Sequence, residues 1–135
     1  MAKLVLTNAS ITVGGIDLSA WVTQVSLDTK YDILETTAMN STAKTRIAGL
    51  ADNSITLDFL QDFATSAVEQ TIYPLLGTAT TIVILPNTAT PGVLNPKYTV
   101  SALVAEWKPL DGSIGSLATA SITWPVSGAI TKAYT

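Results

Sequence analysis

The sequence predicts a mainly β protein: a two-sheet β-sandwich or barrel of about seven or eight strands with one flanking α-helix. Three observations point there. Apolar side chains recur with period two in segment after segment, turn-forming residues separate those segments, and one stretch carries a helix-start pattern. At 135 residues, the chain suits a single domain spanning 1–135.

The elements follow in order. Short strands are expected at Leu4–Leu6 and Ile11–Val13, with Gly14-Gly15 as a turn. Trp21, Thr23, Val25, Leu27 and Thr29 alternate with Val22, Gln24, Ser26 and Asp28, which reads as a strand with one buried face. Residues from Asp32 to Lys44 hold few large apolar side chains and no Pro or Gly. The stretch at about 32–50 therefore reads as a long polar loop, and such loops inside compact domains are commonly functional. Ile55, Leu57 and Phe59 alternate with Thr56, Asp58 and Leu60 in the next strand.

Ser66-Ala67-Val68-Glu69 has the spacing of a capping box. Val68, Ile72 and Leu75 or Leu76 follow at helical spacing, with Gly77 where a left-handed C-cap belongs. A helix of about two to three turns is expected, with Pro74 disturbing its last turn. Thr80–Leu85 is apolar and β-branched, stopped by Pro86-Asn87. Tyr98, Val100, Ala102 and Val104 alternate on the way to Trp107, after a loop containing Pro91-Gly92 and Asn95-Pro96. Leu117–Trp124 is the last long strand, with Pro125 expected to end it.

Composition narrows the function. Hydrophobic residues make up 47% and charged residues only 13%, against about a quarter charged in a typical soluble domain. Thr, Ser and Ala fill the gap, giving a surface suited to burial against copies of itself. The net charge is −3 and the pI about 4.6, and the lysines are scattered, so no basic groove for nucleic acid is expected. With neither Cys nor His, disulfides, thiolate metal sites and the commonest general base are excluded. No apolar run reaches the roughly 18 residues of a membrane span, and the N-terminus is too short in apolar residues for a signal peptide. The expected chain stays in the cell where it is made until it assembles.

No motif carries chemistry. Each carboxylate has a local reading as a turn, cap or solvated strand residue, and no catalytic, cofactor or metal residue is assigned. Asp58 and Asp62 lack the spacing of a calcium loop. Gly112-Ser113-Ile114-Gly115-Ser116 lacks the lysine and spacing of a phosphate loop. Trp21, Trp107 and Trp124 fall in alternating segments, where core or interface packing outranks sugar stacking. Arg46, the only arginine, reads either as a bidentate contact to a neighbour's carboxylate or as a solvated loop residue. The candidate contacts between subunits are Ile33, Leu34, Met39, Lys44, Arg46, Ile47 and Leu50.

The order of several short motifs resembles a known family. These are Gly15-Ile16-Asp17-Leu18-Ser19 before the strand from Trp21, and Ala43-Lys44-Thr45-Arg46-Ile47-Ala48-Gly49-Leu50. Gln61-Asp62-Phe63, Leu75-Leu76-Gly77-Thr78, Asn95-Pro96-Lys97-Tyr98 and a Thr-rich strand ending in Trp124-Pro125 follow. Over nearly its whole length the chain resembles the major tail protein, or tail tube protein, of long-tailed siphophages, especially those infecting actinobacteria. The resemblance implies a tail-tube-like fold without enzymatic activity or cofactor, made in the host cytoplasm and located in the virion tail. It implies hexameric rings stacked into a tube, with tape-measure, tail-terminator and distal tail proteins as partners and double-stranded DNA passing through without specific binding. A mildly acidic lumen would repel phosphates, and Asp28, Glu35 and Asp58 are the candidate lumen acids. The alternatives are a β-sandwich carbohydrate- or receptor-binding module and another ring-forming tail component, such as a terminator or distal tail protein.

Overall fold

The computed structural model describes residues 8–135; the strand expected at Leu4–Leu6 lies outside them. Eight strands form one continuous antiparallel sheet in the order β2-β1-β5-β6-β7-β4-β3, with β8 also paired to β6. They are β1 (Ser10–Val13), β2 (Ile16–Asp17), β3 (Val22–Glu35), β4 (Arg46–Leu60), β5 (Ala79–Leu85), β6 (Lys97–Leu103), β7 (Thr119–Val126) and β8 (Thr131–Ala133). The sheet folds over on itself at a corner. There β7 pairs with β4 over eight residues, touches β6 at Ala102↔Val126, and the chain continues into β8 along the first half of β6. The result is the expected β-sandwich with one short flanking helix.

Alternation builds the core. Ile55, Leu57 and Phe59 of β4 and Ala120, Ile122 and Trp124 of β7 point inward from one layer. Ile11, Val13, Ile82, Ile84, Val100 and Ala102 point inward from the other, and all twelve join one apolar cluster. Phe59 and Trp107 meet edge to face, with ring centroids 5.8 Å apart and planes at 70°. The β1–β2 turn has Gly14 and Gly15 at φ +59° and +87°, the two positive angles a tight hairpin of this kind needs.

Several sequence expectations need correction. In β3, Val22 faces Phe59 and Gln24 faces Asp58, leaving Thr23 as an extra residue. That bulge moves Thr23 out of the alternation, and Val22, Val25 and Leu27 pack on the core. The region read as a loop over 32–50 is strand at both ends: β3 runs to Glu35, β4 begins at Arg46, and Thr36–Thr45 connects them. Pro125 does not end β7 but lies within it opposite Ser54. It is tolerated because β6 reaches β7 only at Val126, so one edge beside Pro125 needs no amide.

The helix is also shorter than expected. α1 (Val68–Ile72) passes into a 3₁₀ turn over Tyr73–Leu75, with Pro74 in that turn. The capping box does not form. Ser66 takes φ 62°, Ala67 becomes the N-cap, and no side chain caps it. The Glu69 carboxylate accepts from Trp107 Nε1 at 2.7 Å and Gln61 Nε2 at 3.2 Å instead. Gly77 has the expected left-handed conformation, φ 85°.

Trp124 is fully buried at the junction of both layers, and its Nε1 donates to the Glu106 carbonyl at 2.8 Å. Trp124→Ala should lower unfolding stability by about 3–5 kcal/mol, read as a fall in the urea midpoint. Ile114→Ser, at a fully exposed loop residue, should change it by less than about 0.5 kcal/mol.

Candidate assembly interface

The pairing pattern makes one part of the molecule protrude. β4 pairs with β7 only from Asn53 to Leu60. It pairs with β3 much further, to Leu34↔Ile47 and Glu35↔Arg46. Beyond Asn53, the two strands therefore form a ribbon with no third strand beside it among the described residues. Isolated two-stranded ribbons are marginal in water, so this one is suited to packing on another surface.

A second bulge shapes the ribbon. Tyr31 faces Ala51 and Ile33 faces Ala48, so Gly49 and Leu50 together oppose Asp32. A Cβ at Gly49 would lie 3.2 Å from Asp32 Cβ and 3.3 Å from the Asp32 carbonyl oxygen. Only glycine fits this approach without displacement. The tip is closed by polar contacts: the Thr36 amide donates to the Thr45 carbonyl at 2.8 Å, the two threonine hydroxyls meet at 2.7 Å, and the Thr45 amide donates to Thr37 Oγ1 at 3.0 Å.

All seven candidate contact residues sit on this hairpin. Ile33, Leu34, Ile47 and Leu50 are on its strands, and Met39 and Lys44 are in the connection. Ile33 is 73% exposed, Leu50 82% and Met39 103%, so the apolar groups here are uncovered within one chain. Arg46 stands directly opposite Glu35, which gives the arginine a partner position within its own chain.

The three candidate lumen acids are not brought together. Asp28 and Asp58 share the outer face of the β7-β4-β3 layer, while Glu35 stands at the far end of the hairpin. That outer face is lined by short hydroxyl side chains in register. Ser26 faces Thr56, which faces Thr123, and the Thr56 and Thr123 hydroxyls meet at 3.1 Å. Ser121 Oγ donates to Asp58 Oδ1 at 2.6 Å. The face is therefore flat, hydroxylic and mildly acidic between Gln24 and Asp28.

The tryptophans build the interior. Trp107 and Trp124 are buried, and Trp21 is half-buried with its Nε1 donating to Asp62 Oδ2 at 2.9 Å. They form no open aromatic platform of the kind that stacks sugars. Among the described residues, no group of three or more Asp, Glu, His or Cys is placed to hold a metal ion, and no helix is long and apolar enough to cross a membrane.

The fold is shared with chains of phage-like and injection assemblies. One, from the virion of a native gene transfer agent particle, superposes with a TM-score of 0.71 at 12% identity, covering 93% of this chain and 95% of that one. Another, from the sheath–tube complex of the extracellular contractile injection system PVC in its extended state, gives 0.70 at 16% identity, covering 98% and 93%. A third, from the sheath/tube terminator of the PVC system, gives 0.71 at 17% identity, covering 98% and 97%. No family model and no curated protein matches the sequence. At these identities the likeness establishes the architecture, end to end.

Sequence reasoning missed one further exposed feature. Between β5 and β6, Gly92 and Asn95 exchange two backbone hydrogen bonds of 3.0 Å, which present Val93 and Leu94 at 77% and 93% exposure. Its signal was Val93-Leu94 held between Pro91-Gly92 and Asn95-Pro96, apolar residues inside turn residues.

Gly49→Val should loosen the ribbon alone. Hydrogen exchange should speed up at amides from Tyr31 to Ala51, while the β4–β7 ladder from Ile55 to Phe59 stays protected; uniform loss of protection would mean that the ribbon and body open as one unit.

Proposed function

We propose that this chain is a structural subunit that self-assembles into hexameric rings stacked as a tail tube, the conduit of a phage-type particle. The observation that carries this reading is the projecting β3–β4 hairpin with uncovered Ile33, Leu34, Met39, Ile47 and Leu50. A monomer gains nothing by exposing these groups, whereas a neighbouring subunit can bury them. The end-to-end fold likeness to chains of a gene transfer agent virion and of an injection-system sheath–tube complex supports the same reading. A head-to-tail contact that closes makes a ring, and one that rises makes a filament. Among the described residues one edge of β3 has no strand partner, and it offers main-chain groups to such a contact.

The particle type follows as part of this proposal: a siphophage-like virion, with the subunit made in the host cytoplasm and located in the tail. Its partners are further copies, a tape-measure protein and the terminator and distal tail components. The hydroxylic face bearing Asp28 and Asp58 is assigned to the lumen. Short neutral hydroxyls and scattered carboxylates hold no phosphate, so double-stranded DNA slides past without the counterion release that makes it stick. Glu35 is assigned to the contact between rings, because it belongs to the hairpin and not to that face.

Negative-stain electron microscopy across a concentration series should show rings or hollow tubes. The triple variant Met39→Ser, Ile47→Ser, Leu50→Ser should keep the folded body and lose stacking; monomers of the unmodified protein at every concentration would end this reading. The lumen assignment has its own check. The natural chain has no cysteine, so Asp28→Cys accepts a single maleimide–gold label, which should appear along the tube's inner wall rather than its rim.

A further inference from the structure

The two ends of the domain differ in charge as well as in shape. At one end lie the hairpin, the Gly92–Asn95 turn and β8. Thr29, Pro86, Tyr98 and Ile130 line a common groove; the chain leads from Thr29 into the hairpin, from Pro86 toward the Gly92–Asn95 turn and from Ile130 into β8. Lys44, Lys97 and Lys132 belong to this end; on the hairpin Glu35 opposes Arg46, Asp52 opposes Lys30, and Asp32 offsets Lys44, so the excess positive charge of this end comes from Lys97 and Lys132. Lys132 Nζ is held 5.8 Å from the centre of the Tyr98 ring and 5.6 Å from that of Tyr134, which fixes a cation at this surface.

The opposite end holds α1 and the segment from Val104 to Ala118. Gln61 joins them, its Nε2 donating to the Pro109 carbonyl at 2.6 Å and its amide to the Ala118 carbonyl at 3.1 Å. Asp62, Glu69 and Asp111 lie here, with Lys108 as the one nearby base. The carboxylates of Asp62 and Glu69 accept from neutral donors, Trp21 Nε1 and Trp107 Nε1. Their negative charge is therefore left without a cationic partner in these contacts. Beside them, Leu110, Ile114 and Leu117 are 80%, 106% and 69% exposed.

We infer that the basic hairpin end of one copy docks on the acidic helix end of the next, with the Val93–Leu94 turn and Lys97 and Lys132 meeting Leu110, Ile114 and Asp111. The occupant is a second copy because each end offers what the other lacks. Both have apolar tips, and their charges are opposite in sign. Opposed potentials orient an encounter and penalise the reversed pairing, basic end on basic end. The turn is built in advance: Asn95, 5% exposed, donates to the Ala89 and Asn87 carbonyls at 2.9 and 3.3 Å and accepts from the Asn87 amide at 3.1 Å. Little ordering of Val93 and Leu94 is then required on docking. The arrangement makes stacking unidirectional. It rests on the reading of this chain as a self-assembling subunit, and goes beyond it by fixing which surfaces meet.

Charge reversal tests it, with assembly followed by sedimentation velocity and electron microscopy. Lys97→Glu with Lys132→Glu should raise the concentration needed for stacking at least about tenfold. Asp111→Lys with Gln70→Lys, an exposed α1 residue next to Glu69, should do the same at the other end, and the combined fourfold variant, complementary again, should return to within about threefold of the unmodified chain. Val93→Ser with Leu94→Ser, on an exposed turn, should also weaken stacking while native tryptophan emission is kept. Added salt should weaken stacking of the unmodified chain. Tubes that form equally well from both charge-reversed proteins, or a folded fourfold variant that stays unstacked, would overturn the docking inference and leave the tube reading standing. An unmodified chain that never assembles would overturn both.

Discussion

Everything distinctive about this molecule depends on one mismatch in strand length. β4 has fifteen residues, and β7 matches only the eight from Asn53 to Leu60. β3 matches nearly all of them. Where β4 has partners on both edges, alternate side chains face a second layer and become core. Where it has one partner, no second layer among the described residues covers it, and Ile33, Leu34, Ile47 and Leu50 are exposed. The body and the projecting ribbon are thus one strand pair under two packing conditions. The pair can transmit a contact at the hairpin directly into the core ladder without a flexible joint.

The helix end depends on a different interaction, the anchoring of indole N–H groups by two carboxylates and a backbone carbonyl. Trp21 donates to Asp62, Trp107 to Glu69 and Trp124 to the Glu106 backbone. Each ties a strand or core segment to a connecting one. Glu106 also covers the outer edge of β7, its Oε1 accepting from the Thr123 amide at 3.1 Å. A buried indole without such an acceptor would cost on the order of 1–3 kcal/mol, so these contacts let large aromatic groups fill the sandwich near its open end. Their by-product is a cluster of carboxylates satisfied by neutral donors, which leaves that end acidic. Packing the aromatic core and charging the surface are here one arrangement.

How legible this was in the sequence follows from the same physics. Strands buried on one face announce themselves: the alternations in Ile55–Phe59, Thr80–Leu85 and Tyr98–Ala102 correspond to β4, β5 and β6. The ribbon was not legible as strand because it has no buried face, hence no period-two apolar signal, and its polar residues looked like a loop. The capping box failed for a tertiary reason: Glu69 is drawn to Trp107, a partner 38 residues away that local spacing cannot reveal. Pro125 misled because the rule against proline in strands assumes amide partners on both edges. Of the candidate contact residues, Ile33 to Leu50 could be grouped by sequence proximity. That Asp28 and Asp58 share a face while Glu35 does not required the register of β3 on β4. The Val93–Leu94 turn needed the Asn95 hydrogen bonds to be seen as a built feature rather than a loose loop.

A chain with uncovered apolar tips on a projecting ribbon must also avoid associating wrongly before it associates correctly. The charged residues, few as they are, sit where this matters. Lys30, Asp32 and Glu35 lie on β3, whose outer edge has no partner among the described residues, and Lys44 and Arg46 stand at the tip and return strand of the hairpin. Charges on an edge strand disfavour random strand addition, because a chance partner leaves them desolvated and unmatched. A bulge at Gly49–Leu50 twists the same edge away from a flat template. A correct neighbour is the one surface that can bury the apolar groups while leaving those charges in water or matched. The charges of the hairpin are therefore better understood by position than by total: they stand where promiscuous pairing would begin.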